Sequence, residues 1–280
     1  MNLVVQGPAT TAAQAKELAR LGGSSTIAKI GEHAWRIRKA APADAIAPYC
    51  EKAHIDFAFV PEGRRFAELK LLAMDMDSTL ITIECIDELG DMAGCKTEIA
   101  AITAQAMRGE LDYPQSLRKR VGLLKGLQEA ALMRVYEERL KLTPGAEQLI
   151  SACKKHGVKL LLVSGGFTFF TDRLKARLDL EYAISNTFEV ADGKLTGRIS
   201  GTLVDAGVKA ATLRRLKGEL TQGVSGKSGL IVAIGDGAND LPMFAEADIS
   251  VAYHAKPIVR AQATHAIDHC GLDGVLNLFR

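Results

Sequence analysis

The sequence has few aromatic residues and almost no excess of charge of either sign. Only 5% of its 280 residues are aromatic, and 35 lysines and arginines face 33 aspartates and glutamates, for a formal net charge of +2. Without aromatic platforms or a basic surface, stacking on bases and attraction to polyanions are both disfavoured. We therefore expect neither a nucleic acid nor an anionic membrane as a partner.

The cysteines form no pattern that a disulfide framework or a zinc site would need. They are scattered and include no CxxC pair: Cys50, Cys85, Cys95, Cys153 and Cys270. We expect reduced thiols in small apolar environments, which fits the cytoplasm. No apolar run approaches the ~18 residues of a membrane-spanning helix, and the first residues lack the basic and apolar regions of a secretory signal.

What the sequence does have is apolar residues, at 48%, and a length that suits two modules. Residues 1–70 are predicted to run β-α-β-β-α-β, the order of a ferredoxin-like α+β domain. In strand order alone, this segment resembles the amino-acid-sensing ACT modules. We expect a small ACT-like domain here. Its expected role is that of a linker or of a contact surface for a homodimer.

Three later apolar runs predict strands buried on both faces of a parallel sheet. They are Leu69–Met74, Val158–Val163 and Leu230–Ile234. We expect an α/β domain over residues 71–280, with a Rossmann-like parallel sheet, helices on both of its faces and a helical cap at about 86–143. Alternation over Asn186–Gly201, with Asp192-Gly193 in the middle, predicts a β-hairpin.

Polar residues are concentrated where these strands are predicted to end. In chain order they are Asp75-Met76-Asp77, Ser164-Gly165-Gly166, Lys209 ahead of a helix over Ala210–Leu220, and Asp236-Gly237-Ala238-Asn239-Asp240. Residues i and i+2 of an extended chain project to one side, so Asp75 and Asp77 can face one pocket. Ligands of open parallel sheets bind beyond the carboxyl ends of the strands, which places the candidate site there.

This set of residues, in this order, resembles the four motifs of the haloacid-dehalogenase-like phosphotransferases. The resemblance covers about Leu69 to Arg280. Four stretches (DMDSTLITIECIDE from Asp75, SLRKRVGLLK from Ser116, VSGGF from Val163 and GDGANDLPM from Gly235) are similar to the phosphoserine phosphatase family. The implied reaction is hydrolysis of O-phospho-L-serine to L-serine and phosphate, the last step of serine biosynthesis.

The resemblance implies roles for the acidic residues. Asp75 would be the nucleophile that forms an aspartyl-phosphate, and Asp77 the general acid and then the general base. Mg²⁺ is the implied cofactor, bound by the side chains of Asp75 and Asp236 and the backbone carbonyl of Asp77. Asp240 would orient a metal-bound water from outside the ligand set.

The phosphoryl group has its own implied contacts. Lys209, Ser164 and the Gly165 amide would hold its oxygens, because the transition state spreads negative charge over all three. A raised pKa is expected for Asp77, since a neighbouring carboxylate and a dry site both disfavour its charged form.

The implied specificity for an amino acid depends on the predicted cap. Glu84 matches the residue that receives the substrate ammonium, and Arg120 the one that receives the carboxylate. Asn239 matches a substrate-contacting asparagine. Met107 and Tyr113 occupy positions where the family places apolar residues over the ligand, with insertion core as the alternative. Tyr113 departs from the phenylalanine that the family pattern predicts.

Two alternatives stay open from the sequence. One is a phosphatase or phosphotransferase of the same superfamily acting on another small phosphoester, such as phosphohomoserine. The other is a regulatory protein that senses an amino acid through residues 1–70, although no ligand motif in that segment supports it. Arg118 is undecided, because on a helix it points elsewhere than Arg120.

Overall fold

The structure, a computed structural model, describes residues 1–222 and 229–280. In these ranges the chain forms a four-stranded and a seven-stranded β-sheet. The smaller sheet consists of β1 (Asn2–Gln6), β2 (Ile27–Gly31), β3 (Ala34–Ile37) and β4 (Asp56–Val60). The larger consists of β5 (Leu69–Met74), β6 (Lys159–Phe167), β7 (Tyr182–Ala191), β8 (Lys194–Ser200), β9 (Leu230–Gly235), β10 (Ile249–Tyr253) and β11 (His265–Ile267).

Helices precede or follow almost every strand. They are α1 (Ala12–Leu21), α2 (Ile46–Ala53), α3 (Cys85–Met92), α4 (Lys96–Met107), α5 (Tyr113–Leu123), α6 (Ala130–Arg134), α7 (Ala146–Lys155), α8 (Thr168–Leu178), α9 (Ala206–Thr221), α10 (Leu241–Glu246) and α11 (Pro257–Arg260). Short segments of other helix types occur at Phe66–Glu68, Met76–Leu80, Val135–Arg139, Ala238–Asp240 and Leu272–Leu278.

The smaller sheet has the order β2-β3-β1-β4 with antiparallel neighbours, which agrees with the predicted ferredoxin-like arrangement. Thr11 starts α1 with a capping box, because its hydroxyl accepts from the Gln14 amide while the Gln14 side chain accepts from the Thr11 amide. Apolar residues of β1, β3, α1 and α2 form one cluster that includes Leu3, Leu18 and Ile46.

The larger sheet has the order β11-β10-β9-β5-β6-β7-β8 and is parallel except for the β7–β8 pair. Successive residues of its central strands enter different clusters. Leu72 and Met74 pack on one face, while Leu71 and Ala73 pack on the other. Since both faces are buried, the strands need continuous apolar sequence, and the predicted α/β class is confirmed.

The hairpin predicted within Asn186–Gly201 is β7–β8. Asp192 and Gly193 form its turn with φ of +51° and +70°, the left-handed geometry that matches the twist of the strands. One local prediction is wrong: β6 does not stop at Val163 but continues through Ser164-Gly165-Gly166 to Phe167, where Phe167 pairs with Asn186 of β7.

Between β5 and β6 the chain leaves the sheet and forms α3, α4, α5 and α6. Its two ends meet in an isolated antiparallel bridge between Ile81 and Leu142, which closes the base of this insertion. Buried side chains such as Leu89, Leu117 and Leu132 belong to the same apolar cluster as one face of the larger sheet. The insertion is therefore packed against the body of the protein near the end of β5.

The smaller sheet is fixed to the larger one by buried polar contacts. The Asp56 carboxylate accepts hydrogen bonds of 2.7–3.1 Å from the backbone amides of Asp268, His269 and Cys270, just past β11. Asp56 itself is only 5% exposed. Three consecutive amides around one carboxylate are a strong charge-assisted contact, so the two sheets are held in a defined relation.

None of the helices in the described ranges is long and apolar enough to cross a membrane. All five cysteines are free; Cys50, Cys85 and Cys153 are buried, and Cys95 and Cys270 are partly exposed. Burial raises the pKa of the Cys85 thiol well above its usual range, so the thiol is protonated at neutral pH.

Candidate active site

Two carboxylates leave the carboxyl edge of the larger sheet on neighbouring strands. Asp75 follows β5 and Asp236 follows β9. Carboxylate oxygens of Asp75, Asp236 and Asp240 all lie within 4.8 Å of one another, and we call these three residues the acidic cluster. Oxygen ligands so arranged suit a hard divalent cation. Burial raises the pKa of Asp236 and of Asp240 to about 7, and the Asp75 charge adds to both shifts.

The Lys209 side chain reaches the acidic cluster from α9. Its Nζ donates to Asp75 Oδ2 at 2.6 Å and to Asp240 Oδ1 at 2.9 Å, and the side chain is 1% exposed. Burial lowers the pKa of Lys209, but the Asp240 and Asp75 charges outweigh burial and keep it above its usual range. The side chain is therefore positively charged at neutral pH.

The start of α9 differs from the prediction. The helix begins at Ala206, because the Asp205 side chain accepts from the Val208 amide and acts as the N-cap. Lys209 thus lies in the first turn of the helix rather than ahead of it. The Asp205 cap fixes where α9 begins. It therefore also fixes the position from which the Lys209 side chain reaches the edge of the sheet.

Asp77 lies on a tight turn that follows Asp75. The next residue, Ser78, has a left-handed backbone with φ of +53°, which bends the chain back over the strand end. Asp77 Oδ1 accepts from the Cys85 amide at 3.1 Å. Burial raises the pKa of Asp77 to about 7 against the effect of that hydrogen bond, with help from the Asp75 charge. The group can therefore both give and take a proton near neutral pH.

Ser164, Gly165 and Gly166 face this turn from the adjacent strand. The Gly166 amide donates to Ser164 Oγ at 2.8 Å. A Cβ on Gly166 would lie 2.7 Å from Met76 Cε and 2.8 Å from Asp77 Oδ2, so a larger residue here would displace the Asp77 carboxylate or the Met76 side chain. Ser164 is 1% exposed, and its hydroxyl lies near the Asp77 carboxylate at the bottom of the pocket.

Glu84 is the N-cap residue of α3 and stands at the open side of the pocket. Its Oε1 accepts a hydrogen bond of 2.7 Å from the Ser78 hydroxyl. Loss of hydration around the carboxyl group, reinforced by the Asp77 charge, raises the pKa of Glu84 to about 8. The Glu84 charge also contributes to the raised pKa of Asp236, which puts it within electrostatic reach of the acidic cluster.

Arg120 approaches from the insertion, on α5. Its Nε is buried without a hydrogen-bond partner among residues 1–222 and 229–280, and so is the hydroxyl of Ser116, one turn earlier. Burial raises the pKa of Asp87 on α3, and the Arg120 charge opposes part of that rise. A buried guanidinium nitrogen with an unused donor is suited to an anionic ligand group.

Tyr113, on α5, connects the insertion to β6. Burial raises its pKa to about 12, and the charges of Lys209 and Arg120 both oppose the rise. Its hydroxyl donates to the Gly165 carbonyl at 3.1 Å. Because Arg120 lies on the same helix as Tyr113, this contact joins the helix of the predicted amino acid end to the strand that carries Ser164 at the predicted phosphoryl end.

The remaining predicted residues lie at the margin. Asn239 is partly buried in the turn after β9, and its Oδ1 fills the space where a Cβ on Gly237 would be. Met107 is 64% exposed and lies 3.5 Å from Lys256 Nζ, so it is not part of the insertion core. Arg118 is exposed, and it lines a separate surface cavity of about 270 Å³ beside β8.

Three contributors were missed by sequence reasoning. Thr79 is fully buried and donates to Asp236 Oδ1 at 3.3 Å, while the Cys85 backbone amide binds Asp77. Asn186 donates from Nδ2 to the Gly165 carbonyl at 2.8 Å. Thr79 stands within the first motif and could have been suspected. The other two contacts each involve a backbone group, the Cys85 amide and the Gly165 carbonyl, and backbone groups leave no trace in side-chain patterns.

A family model described as haloacid dehalogenase-like hydrolase matches residues 72–245. The chain belongs to this family. The model spans the carboxylates, Lys209 and the insertion, so the resemblance predicted from the motifs is confirmed. A second model, described as a domain of unknown function, matches residues 3–46 within the smaller sheet.

Among its relatives in this family is a phosphoserine phosphatase of Polaromonas sp., 53% identical over 221 residues, which are 77% of this chain and 92% of the relative. A crystal structure of a probable phosphoserine phosphatase from Vibrio cholerae has a TM-score of 0.84 and 38% identity, over 99% of this chain and 85% of that one. A phospho-aspartyl intermediate analogue of a phosphoserine phosphatase has a TM-score of 0.68 and 38% identity, covering 76% of this chain and 99% of its own.

Proposed function

We propose that the protein is a Mg²⁺-dependent phosphoserine phosphatase, which hydrolyses O-phospho-L-serine to L-serine and phosphate. The observation that carries the proposal is the hydrogen bond of 3.1 Å from the Tyr113 hydroxyl to the Gly165 carbonyl, which joins the helix that carries Arg120 to the strand that carries Ser164. A phosphate can thus be held at the sheet edge while a carboxylate is held by the insertion. The names of the relatives support the same substrate.

Asp75 is the nucleophile in this proposal. Its carboxylate attacks phosphorus, the serine oxygen leaves, and an aspartyl-phosphate forms. The salt bridge of 2.6 Å to Lys209 holds the attacking carboxylate in place and brings a positive charge to the incoming phosphate. Ser164 and the Gly165 amide contact further phosphoryl oxygens from the neighbouring strand.

Asp77 transfers the protons. In its protonated form it donates to the departing serine oxygen, and as the resulting carboxylate it takes a proton from the water that hydrolyses the aspartyl-phosphate. Its raised pKa of about 7 supports both half-steps, because neither form is strongly disfavoured near neutral pH. The left-handed turn at Ser78 and the hydrogen bond from the Cys85 amide hold the Asp77 carboxyl group in place.

The acidic cluster fits a divalent cation, and we assign Mg²⁺ to it. Asp75 and Asp236 would hold the cation through side-chain oxygens and Asp77 through its backbone carbonyl, while Asp240 would orient a water from outside the ligand set. When bound, the cation would neutralise the negative charge shared by carboxylate and phosphate. The fit rests on three carboxylates whose oxygens lie within 4.8 Å of one another.

The amino acid end of the substrate is recognised by opposite charges. Glu84 accepts from the ammonium, Arg120 donates to the carboxylate, and Asn239 contacts the ligand from the turn after β9. An arriving ammonium favours the ionised form of Glu84, whose pKa is otherwise raised to about 8. The unused Nε of Arg120 supports its assignment to the carboxylate.

Residues 1–70 are proposed as a small domain, and 71–280 as the catalytic domain with its cap at 86–143. A homodimer through the small domain is the proposed assembly, and light scattering of the purified protein decides it. Free thiols throughout the chain support a reducing compartment, which we take to be the cytoplasm of the cell.

The deciding experiment is phosphate release from phosphoserine, with and without Mg²⁺, beside a panel of other phosphoesters. Phosphoserine should give a kcat/KM at least about a hundredfold above p-nitrophenyl phosphate and phosphoethanolamine, which lack the full amino acid group. Phosphohomoserine at or above the rate of phosphoserine would instead favour the longer substrate. Equal rates for all esters would exclude the Glu84 and Arg120 assignments.

A further inference from the structure

The peptide group between Gly165 and Gly166 is held at both of its polar ends. The Gly165 carbonyl accepts from the Tyr113 hydroxyl at 3.1 Å and from Asn186 Nδ2 at 2.8 Å. The Gly166 amide donates to Ser164 Oγ at 2.8 Å. Because a peptide group is planar, fixing the direction of the carbonyl also fixes the direction of the amide.

This arrangement determines what the Ser164 hydroxyl can do. A serine hydroxyl has one proton to donate and two lone pairs to accept. One lone pair of Ser164 is used by the Gly166 amide, so its proton is left to donate away from that peptide. Ser164 is 1% exposed, and its hydroxyl donates no hydrogen bond within residues 1–222 and 229–280, so its proton is available to a ligand oxygen.

The two donors to Gly165 come from different parts of the molecule. Asn186 belongs to β7, and its own Oδ1 accepts from the Val204 amide at 2.7 Å, so it is fixed within the body of the protein. Tyr113 belongs to α5 of the insertion. A Cβ on Gly165 would overlap the Tyr113 hydroxyl, which shows how closely the insertion approaches this strand.

We propose that Tyr113 is a positioning residue for phosphoryl transfer. By holding the Gly165 carbonyl, its hydroxyl ties the insertion to the strand that carries Ser164 and keeps the Ser164 proton directed at the phosphoryl group. This proposal rests on the proposed function, in which Ser164 binds that group. The phenylalanine that the family pattern predicts at this position could not supply the bond.

The test is Tyr113→Phe, which keeps the ring and removes only the hydroxyl. We expect kcat to fall about three- to tenfold with KM within about twofold of wild type. The same factor should apply to phosphoserine and to p-nitrophenyl phosphate, because both present the phosphoryl group to Ser164. Tyr136→Phe is the matched control, since it removes a hydroxyl from the same insertion without touching Gly165, and it should leave kcat unchanged.

A double variant separates positioning from a general structural effect. In a Ser164→Ala background there is no hydroxyl left to direct, so adding Tyr113→Phe should change kcat by less than about twofold. Thermal unfolding of each variant checks that the fold is retained.

Three results would overturn the proposal. The first is an unchanged kcat in Tyr113→Phe, and the second is a change in this variant that is confined to the KM for phosphoserine. The third is a decrease in kcat on adding Tyr113→Phe that is as large in the Ser164→Ala background as in wild type. Failure of the proposed function is distinguishable. A wild-type enzyme that ignores phosphoserine but hydrolyses p-nitrophenyl phosphate refutes the substrate, while the Tyr113 comparison can still be made with the second ester.

Discussion

The Lys209 ammonium lies 2.6 Å from Asp75 Oδ2, inside the protein, although the two residues are 134 positions apart in the chain. A second bond of 2.9 Å joins the same ammonium to Asp240. One buried cation between two carboxylates leaves a net negative charge, which the site balances when it binds a divalent cation. The chemistry and the stability of this site therefore depend on the same three side chains.

Lys209→Met should lower kcat by at least about a thousandfold, because the phosphate then meets the acidic cluster without the fixed ammonium. It should also change how stability depends on pH. Burial raises the pKa of Asp240, and without the Lys209 charge that opposes this rise the variant loses more stability than wild type as pH rises from 5.5 to 8. Thermal unfolding with chelator at both pH values measures this.

Lys217→Met is the control for that prediction. Lys217 lies on the same helix and pairs with Asp248 at 2.8 Å, but both side chains are about one third exposed. We expect unchanged kcat and a loss of less than about 1 kcal/mol. If Lys209→Met kept wild-type activity, the role of the ammonium at the phosphoryl group would be wrong.

Arg120→Ala should raise KM for phosphoserine about a hundredfold, because the substrate carboxylate loses a charge-assisted contact. The rate with p-nitrophenyl phosphate should stay within about twofold, since that ester has no carboxylate. Arg118→Ala is a close match on the same helix whose side chain is exposed away from the pocket, and it should alter neither value. Equal effects of the two variants would contradict the carboxylate assignment.

Asp56→Ala should reduce the free energy of unfolding by about 3 kcal/mol, because the amides of Asp268, His269 and Cys270 lose their buried acceptor. Urea denaturation followed by fluorescence and by circular dichroism measures the loss. Asp44→Ala, an exposed change in the same small domain, should cost less than about 0.5 kcal/mol. A loss this small in Asp56→Ala would mean that the contact does not hold the sheets together.

His265 predicts an acid sensitivity. It accepts at Nε2 from Arg64 at 2.9 Å, since an arginine can only donate, and burial with the Arg64 charge lowers the pKa of His265 to about 4. The unfolded value is about 6.5, so the neutral form stabilises the fold above that pH and the contribution is lost as pH falls toward 4.

The expected loss from this histidine between pH 6.5 and 4 is about 3 kcal/mol. Urea denaturation at the two pH values should show a smaller difference in His265→Gln, which keeps an acceptor for Arg64 but does not titrate. His33→Gln, at an exposed histidine, should follow wild type. An identical pH dependence in wild type and His265→Gln would refute the assignment.

Much of the architecture could be read from short stretches of sequence. The apolar runs that became β5, β6 and β9 are continuous because both faces of those strands are buried, and burial on both faces leaves a local pattern. The Asp192-Gly193 turn and the ferredoxin-like order were equally local. Strand ends then located Asp75 and Asp236, since parallel strands end at one edge.

Two element boundaries differ from the prediction, one because of a long-range strand pairing and one because of a local helix cap. β6 continues past Val163 because Phe167 pairs with Asn186 of the next strand, so the glycines that suggested a turn lie in extended backbone. The start of α9 was placed too late, because the Asp205 cap was not recognised.

The sequence by itself determined the fold class and the residue types of the site, because apolar periodicity and the order of the elements depend only on residues that are close together in the chain. Only the tertiary structure decided that Lys209 bridges Asp75 and Asp240, that Tyr113 reaches Gly165, and that Asp56 is surrounded by three amides. Each of these contacts joins segments far apart in the chain. Their partners are chosen by how whole elements pack, and two of them involve backbone groups that every residue carries.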